Sequence, residues 1–224
     1  AIDAASRETV AKARDLAADA LEVAAGDVEY AEGEFRVAGT DKTIGLFELA
    51  AKQPERRIFV DSTTTVGGPS WPNGCHVCEV EIDPETGMVE VVAYASANDV
   101  GRVVNPMIVR GQLDGGAVQG LGQALGEGVA FDETGQTLTA SFMDYNMPRA
   151  DLVQSFVHEL GPSVPCKTNP LGAKGVGELG TIGATPAAVI AVIDALTRAG
   201  RQEAAMTLQM PLTPQKVWRA LSGN

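Results

Sequence analysis

Residues 107–127, MIVRGQLDGGAVQGLGQALGE, constrain the fold more than any other stretch of this chain. Apolar residues recur there at helical spacing, interrupted by six glycines between Gly111 and Gly126. Glycine in a helix interior costs roughly 0.8 to 1 kcal/mol against alanine, so six of them cost a helix roughly 5 kcal/mol. The helix therefore needs a neighbouring element or a ligand that approaches more closely than a Cβ permits. A chain of 224 residues is long enough to build such a neighbour and bury it in a core.

Composition removes several classes. With 45% hydrophobic and 21% charged residues, the chain is neither low-complexity nor collagen-like. A net charge of −12 leaves no basic surplus to neutralise phosphates, which argues against nucleic acid or an anionic membrane as partner. The longest nearly apolar run, residues 186–196, carries Asp194 and falls short of the roughly 18 to 20 residues a bilayer needs, so no transmembrane segment is predicted. Three cysteines make no disulfide framework, and the opening residues have neither a basic start nor an apolar signal core; a reducing, cytoplasmic compartment is expected. The chain opens on Ala1 within a helical pattern, which predicts a fragment or processed chain. Residues 1–224 read as one region, since no linker compels two independent domains.

The apolar spacing from Ile2 to Val23 predicts an amphipathic helix stopped by Gly26. Residues 27–39 alternate around Glu32-Gly33 as a hairpin, Thr43 or Asp41 caps a short helix through Leu49, and a strand covers Arg57 to Thr63. Residues 76–99 hold two β-rich runs joined by Asp83-Pro84-Glu85-Thr86-Gly87, the clearest hairpin signal in the chain. A second hairpin is predicted around Asp132-Glu133-Thr134-Gly135, with a strand near Val153 to Leu160 after it. Thr185-Pro186 reads as an N-cap with Pro at the first helical position, opening a helix from Ala187 to Ala199. Thr213-Pro214 repeats the device for a last helix to Leu221. The expected fold is α+β, with antiparallel or mixed sheets packed against the Gly115 and Ala187 helices.

Between the last strand and Thr185 lies GPSVPCKTNPLGAKGVGELGTIG, too irregular for either period and rich in Gly and Pro. Loops of that length within a compact fold are usually functional. Its glycines leave backbone N–H groups uncovered ahead of a helix N-terminus, an arrangement suited to an anionic or polar ligand. Lys174 and Glu178 lie four apart in it, and a carboxylate on such a loop can act as a base. On composition alone a plainer alternative stays open, a glycine-rich connection with a solvated Lys174–Glu178 pair. Cys75-His76-Val77-Cys78 invites a zinc reading, but the local alternation is that of a strand, which points residues three apart to opposite faces. Asp99, Arg102 and Asn105-Pro106 are as suited to shaping a turn as to touching a ligand, and Trp71 and Trp218 read as core or interface anchors.

The run NPLGAKGVGELGTIGATPAAVIAVIDAL resembles the molybdopterin-binding large subunit of the xanthine dehydrogenase family, which includes aldehyde oxidases and aerobic carbon monoxide dehydrogenase. Four further blocks agree in order: EVEIDPETGMVEV, NDVGRVVNPMIVRGQLDGGAVQGLGQALGE, SFMDYNMPRA and MPLTPQKVWRAL. The resemblance implies the molybdopterin-binding fold of that family and a molybdenum-dependent oxidoreductase. It places Glu178 beside the molybdenum, as the base for a proton on an oxygen that the metal acidifies. It makes Gln119 a pterin contact, since an amide offers donor and acceptor together, and sets Ala173, Lys174, Gly175 and Val176 along the cofactor by their backbone.

The implied cofactor is molybdenum with molybdopterin, in its cytosine dinucleotide form. The implied partners are the rest of the large subunit, an iron-sulfur subunit and a flavin subunit carrying FAD, together a dimer of heterotrimers. No cysteine pattern or dinucleotide fingerprint for those centres occurs here. Large subunits of the family are several times longer, and the motifs that hold the other side of the cofactor are absent from this chain. The loop that distinguishes carbon monoxide oxidation, with its copper-binding cysteine, would also lie upstream. The isolated chain is therefore expected to be inactive. The rival reading is a non-catalytic interaction or assembly module on the same scaffold.

Overall fold

A computed structural model describes residues 1–223. It divides the chain into two compact units, the first spanning Ala1–Gly68 and the second beginning at Pro69. The boundary falls at Gly67-Gly68-Pro69, a punctuation too short to have read as a linker.

In the first unit, α1 (Ile2–Leu21) buries Ala13, Ala17 and Ala18. These pack with Val28, Phe35, Ile44 and Leu49, which come from the antiparallel strands β1 (Val28–Ala31), β2 (Glu34–Val37) and β3 (Thr43–Gly45) and from α2 (Leu46–Ala51). The predicted hairpin turns at Glu32 and Gly33, with φ of 52° and 87°, the left-handed pair that a two-residue connection requires. Three expectations are corrected. The helix stops not at Gly26 but at Glu22, which adopts the left-handed conformation itself. Thr43 caps nothing, because it pairs with Arg36 in β3, and Gly45 takes the N-cap position of α2. Residues 57–63 form no strand; Lys12 donates to the Phe59 carbonyl at 2.9 Å and Ser62 to Glu8 at 2.9 Å, tying the segment to α1 instead of a sheet edge.

The second unit is built on β4 (Asn73–Ile82) and β5 (Val89–Asp99), antiparallel, with β6 (Phe156–Leu160) parallel to β5. The sheet is mixed and packs against helices, the α+β arrangement expected. Asp83 closes the β4–β5 turn by accepting from Glu85 N at 2.9 Å and the Thr86 hydroxyl at 2.6 Å, and Gly87 supplies φ +73°. The second predicted hairpin is present only as a short antiparallel turn, with Asp132 N donating to the Gln136 carbonyl at 2.9 Å and Leu138 N to the Ala130 carbonyl at 2.8 Å, and no full strands. The Asp132 carboxylate gathers Thr134 and Gln136 into a tight turn with a single bridge, Phe131 to Thr137.

The glycine-rich segment is α3 (Pro106–Leu125), capped by the Asn105 side chain on Ile108 N at 3.1 Å. Its neighbour is α4 (Leu179–Arg198), which starts at Leu179 and not at Ala187. Pro186 sits inside it, where its ring removes only one N–H, while the Thr185 hydroxyl bonds the Thr181 carbonyl at 3.2 Å. By length and composition α4 is apolar enough to cross a bilayer. It nevertheless buries Gly180, Ala184, Ala188, Val192 and Leu196 as one stripe, at the spacing of a core helix. The helices α5 (Gln202–Thr207) and α6 (Pro214–Ser222) close the core with Ala205, Val217 and Ala220.

The two long helices run in the same direction with small residues interlocked: Gly116, Gly120 and Ala124 of α3 face Gly180, Ala184 and Ala188 of α4. A Cβ on Gly120 would lie 2.7 Å from Ala184 Cβ and 2.8 Å from the Thr181 carbonyl, and one on Gly180 would lie 2.8 Å from Ala117 N. Gly111 and Gly115 have open space around them. Close packing thus explains Gly116 and Gly120 but not every glycine of the helix.

Beneath these helices the sheet holds a polar cluster. His76 Nδ1 lies 2.6 Å from the Tyr94 hydroxyl, His158 Nδ1 lies 2.6 Å from Ser96 Oγ, and His158 Nε2 lies 3.1 Å from Asp114. Burial lowers the pKa of both histidines from 6.5; the charge of His158 adds to the effect on His76, and for His158 the attraction of Asp114 offsets only part of burial, with Arg110 opposing that attraction. The cysteines are not organised as a metal site. Cys75 is exposed, and Cys78 lies half buried on the other face of β4 with its thiol pushed up to about 11 by burial.

Two outcomes follow for the purified chain. Gly120→Ala forces backbones apart and should cost about 1–3 kcal/mol, a melting-temperature drop of roughly 2–4 °C per kcal/mol, whereas Gly111→Ala should stabilise by up to about 1 kcal/mol. Both histidines bind protons less readily folded than unfolded, so their contribution is complete above pH 6.5 and lost as pH falls below it. Melting temperature should therefore fall on acidification through that window, and less steeply in His76→Gln.

Candidate functional site

Interlocked glycines bring α3 and α4 so close that their polar side chains meet along one edge. The Thr181 hydroxyl lies 3.0 Å from the Gly116 carbonyl and 3.3 Å from Gln119 Oε1, and its one proton serves one of them at a time. One turn on, the Thr185 hydroxyl lies 3.3 Å from the Gly120 carbonyl and 3.2 Å from Gln123 Oε1. Each glutamine is held with its amide oxygen toward a threonine hydroxyl, and among the described residues its NH2 has no partner. Gln119, Gln123, Gly177, Glu178, Thr181, Ile182 and Thr185 line a groove of about 450 Å³.

Glu178 occupies the N-cap position of α4 without bonding the helix through its side chain. The positive end of the helix dipole therefore lies at Glu178, not at Thr185 as the sequence suggests. An exposed carboxylate there is favourably placed for its charge. Ahead of it, the N–H groups of Gly175, Val176, Gly177 and Glu178 make no hydrogen bond within the described chain. Nothing lies within 4 Å of a Cβ built on Gly175. Four successive donors without a partner are available to an anionic or acceptor-rich group.

Gln119 and Glu178 line one groove, together with Gly177. Gly175 and Val176 precede it in the chain without lining it, and the Val176 side chain packs against the cluster of Val100, Val109, Leu113 and Leu179. Ala173 and Lys174 face the protein. Ala173 exchanges hydrogen bonds with the Asn169 side chain at 2.8 and 3.2 Å, and Lys174 N donates to the Val100 carbonyl at 2.9 Å. Lys174 does not pair with Glu178; its ammonium lies 2.6 Å from Asp99, with only 8% of its side chain exposed. That ammonium, bonded to the Asp99 carboxylate, holds it below the usual carboxylate range, helped by the amides of Gly101 and Val164. Sequence reasoning missed Gln123, Thr181, Thr185 and the pairing of Asp99. The matched spacing of Gln119 with Gln123 and Thr181 with Thr185, one helical turn each, was the available signal.

The molybdopterin cofactor-binding domain family matches residues 1–154. The chain belongs to that family. It is 36% identical over 201 residues to the 6-hydroxypseudooxynicotine dehydrogenase complex subunit gamma of Paenarthrobacter nicotinovorans, covering 84% of this chain and 24% of that protein. Among solved structures, the carbon monoxide dehydrogenase from Oligotropha carboxidovorans superposes with a TM-score of 0.82 at 32% identity, covering 98% of this chain and 28% of that one. Quinoline 2-oxidoreductase from Pseudomonas putida 86 gives 0.80 at 31% identity, covering 96% and 28%. The chain spans about a quarter of the length of such relatives. The membership inferred from the five sequence blocks holds, and with it the family fold.

The groove's chemistry fits the cofactor the family name specifies. A pterin presents a flat edge of mixed donors and acceptors and a phosphate tail. The groove offers two fixed amide NH2 groups, a run of free backbone N–H groups and glycines that leave room for close approach.

Proposed function

We propose that this molybdopterin-binding chain forms one wall of the cofactor site of a molybdenum hydroxylase, with Glu178 as its catalytic base. The observation that carries the reading is the convergence of Glu178 and Gln119 on one groove from two helices locked by glycine contact. When bound, the molybdenum would supply the acceptor for the electron pair that leaves the substrate.

The chain's own residues supply binding and proton handling. Gln119 donates through Nε2 to an acceptor on the pterin edge, its orientation fixed by Thr181. The N–H groups of Gly175 and Val176 approach the cofactor through their backbone, while Ala173 and Lys174 shape the turn that presents them. Among the described residues Glu178 is the only carboxylate lining the groove, and it takes up the proton released as water-derived oxygen is transferred. The glycines beside it let the carboxylate reach the reacting atoms without a flanking side chain in the way.

The cofactor is the cytosine dinucleotide form, and iron-sulfur and FAD centres sit on partner subunits in a cytoplasmic dimer of heterotrimers. The groove is walled on one side only, so the rest of the large subunit supplies the other wall. Phe142, Met143 and Met107, each at least 78% exposed, give that contact apolar surface. The isolated chain is inactive and binds the cofactor weakly, because half of the cofactor's polar groups would face water.

In the assembled, cofactor-loaded enzyme, Glu178→Gln should lower turnover per molybdenum by at least about 10²-fold with cofactor content nearly unchanged. Gln119→Ala should do the reverse, lowering molybdenum per chain while activity per metal stays near normal. Full activity per molybdenum in Glu178→Gln would refute the catalytic assignment.

A further inference from the structure

Glu178 stands four residues after Lys174, in a segment whose N–H groups make no hydrogen bond within the described chain. Such a segment is mobile unless both its ends are fixed. Its far end is fixed by α4, where Gly180 packs on the Leu113 carbonyl and Ala117 N of α3. The near end rests on the terminus of β5. Gly101 bridges Ala173, Arg102 N donates to the Gly172 carbonyl at 2.9 Å, and Lys174 N donates to the Val100 carbonyl at 2.9 Å. Over this backbone seam the Lys174 side chain folds back to Asp99 at 2.6 Å. The same carboxylate accepts from Gly101 N at 2.9 Å and Val164 N at 3.2 Å.

We propose that the buried Lys174–Asp99 ion pair is the strut that sets the position of Glu178, so that both are positioning residues and the Lys174 ammonium is not a cofactor ligand. This rests on the reading of Glu178 as the base. The pair joins three segments at one carboxylate: the end of β5, the loop at Val164, and the turn leading into Gly175. With 8% and 17% of their side chains exposed, the part-buried pair is shielded enough that water compensates only in part for a lost partner. A charge left alone there has to move toward solvent, and the seam from Gly101 to Lys174 moves with it. Removing both charges leaves no such drive. The two residues should therefore behave as one unit, and each single loss should be worse than the loss of both.

The test uses hydrogen exchange, read by mass spectrometry on the purified chain over peptides covering the hydrogen-bonded seam amides Arg102, Gly172, Ala173 and Lys174, with turnover per molybdenum in the loaded enzyme as second readout. Asp99→Asn and Lys174→Met should each raise exchange in those peptides at least tenfold, and each should lower kcat more than it changes KM. The double variant should recover most of the protection, and Lys174→Arg, which keeps the charge, should stay within about threefold of the parent. Glu178→Gln should leave exchange unchanged, so a failure of the catalytic reading is seen separately from a failure of the strut. If a single variant does not fold, the double variant and Lys174→Arg still decide the matter. Unaltered exchange in the single variants, or a double variant as unprotected as their sum, overturns the proposal. A loss of molybdenum in Lys174→Met with normal occupancy in Asp99→Asn also overturns it, since that pattern marks a ligand.

Discussion

The contact between α3 and α4 is the constraint on which the second unit depends. Where Gly120 meets Ala184 and Gly116 meets Gly180, the helices approach to distances that a Cβ on Gly116, Gly120 or Gly180 would forbid. That proximity explains why an intrinsically poor helix, with glycines in its interior, is nevertheless a helix: burial of Leu113, Ala117, Leu121 and Ala124 along the same face offsets its weak propensity. It also fixes the register of the two helices. Because both advance one turn together, Thr181 reaches Gln119 where Thr185 reaches Gln123, and a polar edge is produced as a by-product of packing.

Electrostatics completes what packing begins. Among the described residues no Lys or Arg lines the groove, and Lys174, four positions before Glu178, is paired with Asp99. What faces the groove is instead a set of dipoles: free backbone N–H groups, amide NH2 groups and a helix N-terminus. Dipoles held by a rigid scaffold orient a polar ligand without a long, mobile side chain. The arrangement suits a cofactor recognised through many modest hydrogen bonds.

Much of this was legible in the sequence, for reasons particular residues make plain. The β4–β5 hairpin was readable because Asp83 and Gly87 satisfy a turn whatever the surroundings, and α1 because its apolar period is uninterrupted. The five blocks singled out Glu178 and Gln119, and the structure sets both on one groove. The start of α4 was misread because Thr185-Pro186 carries a local signal for a helix start that packing against α3 overrides. The hairpin at Asp132 was readable as a turn, but its flanks pair only with each other over a few residues and join no sheet. The Lys174–Asp99 pair was invisible: 75 positions separate the two residues, and the nearer glutamate was the obvious partner. Local rules cannot see a contact made by the fold.

The central claim, that Glu178 and Gln119 face one molybdenum cofactor, is tested most directly by anomalous scattering at the molybdenum edge from crystals of the cofactor-loaded protein. The account predicts a single peak in the groove lined by Gln119, Glu178 and Thr181, beside the Glu178 carboxylate. A molybdenum peak remote from that groove, with Glu178 facing solvent or another chain, would contradict it.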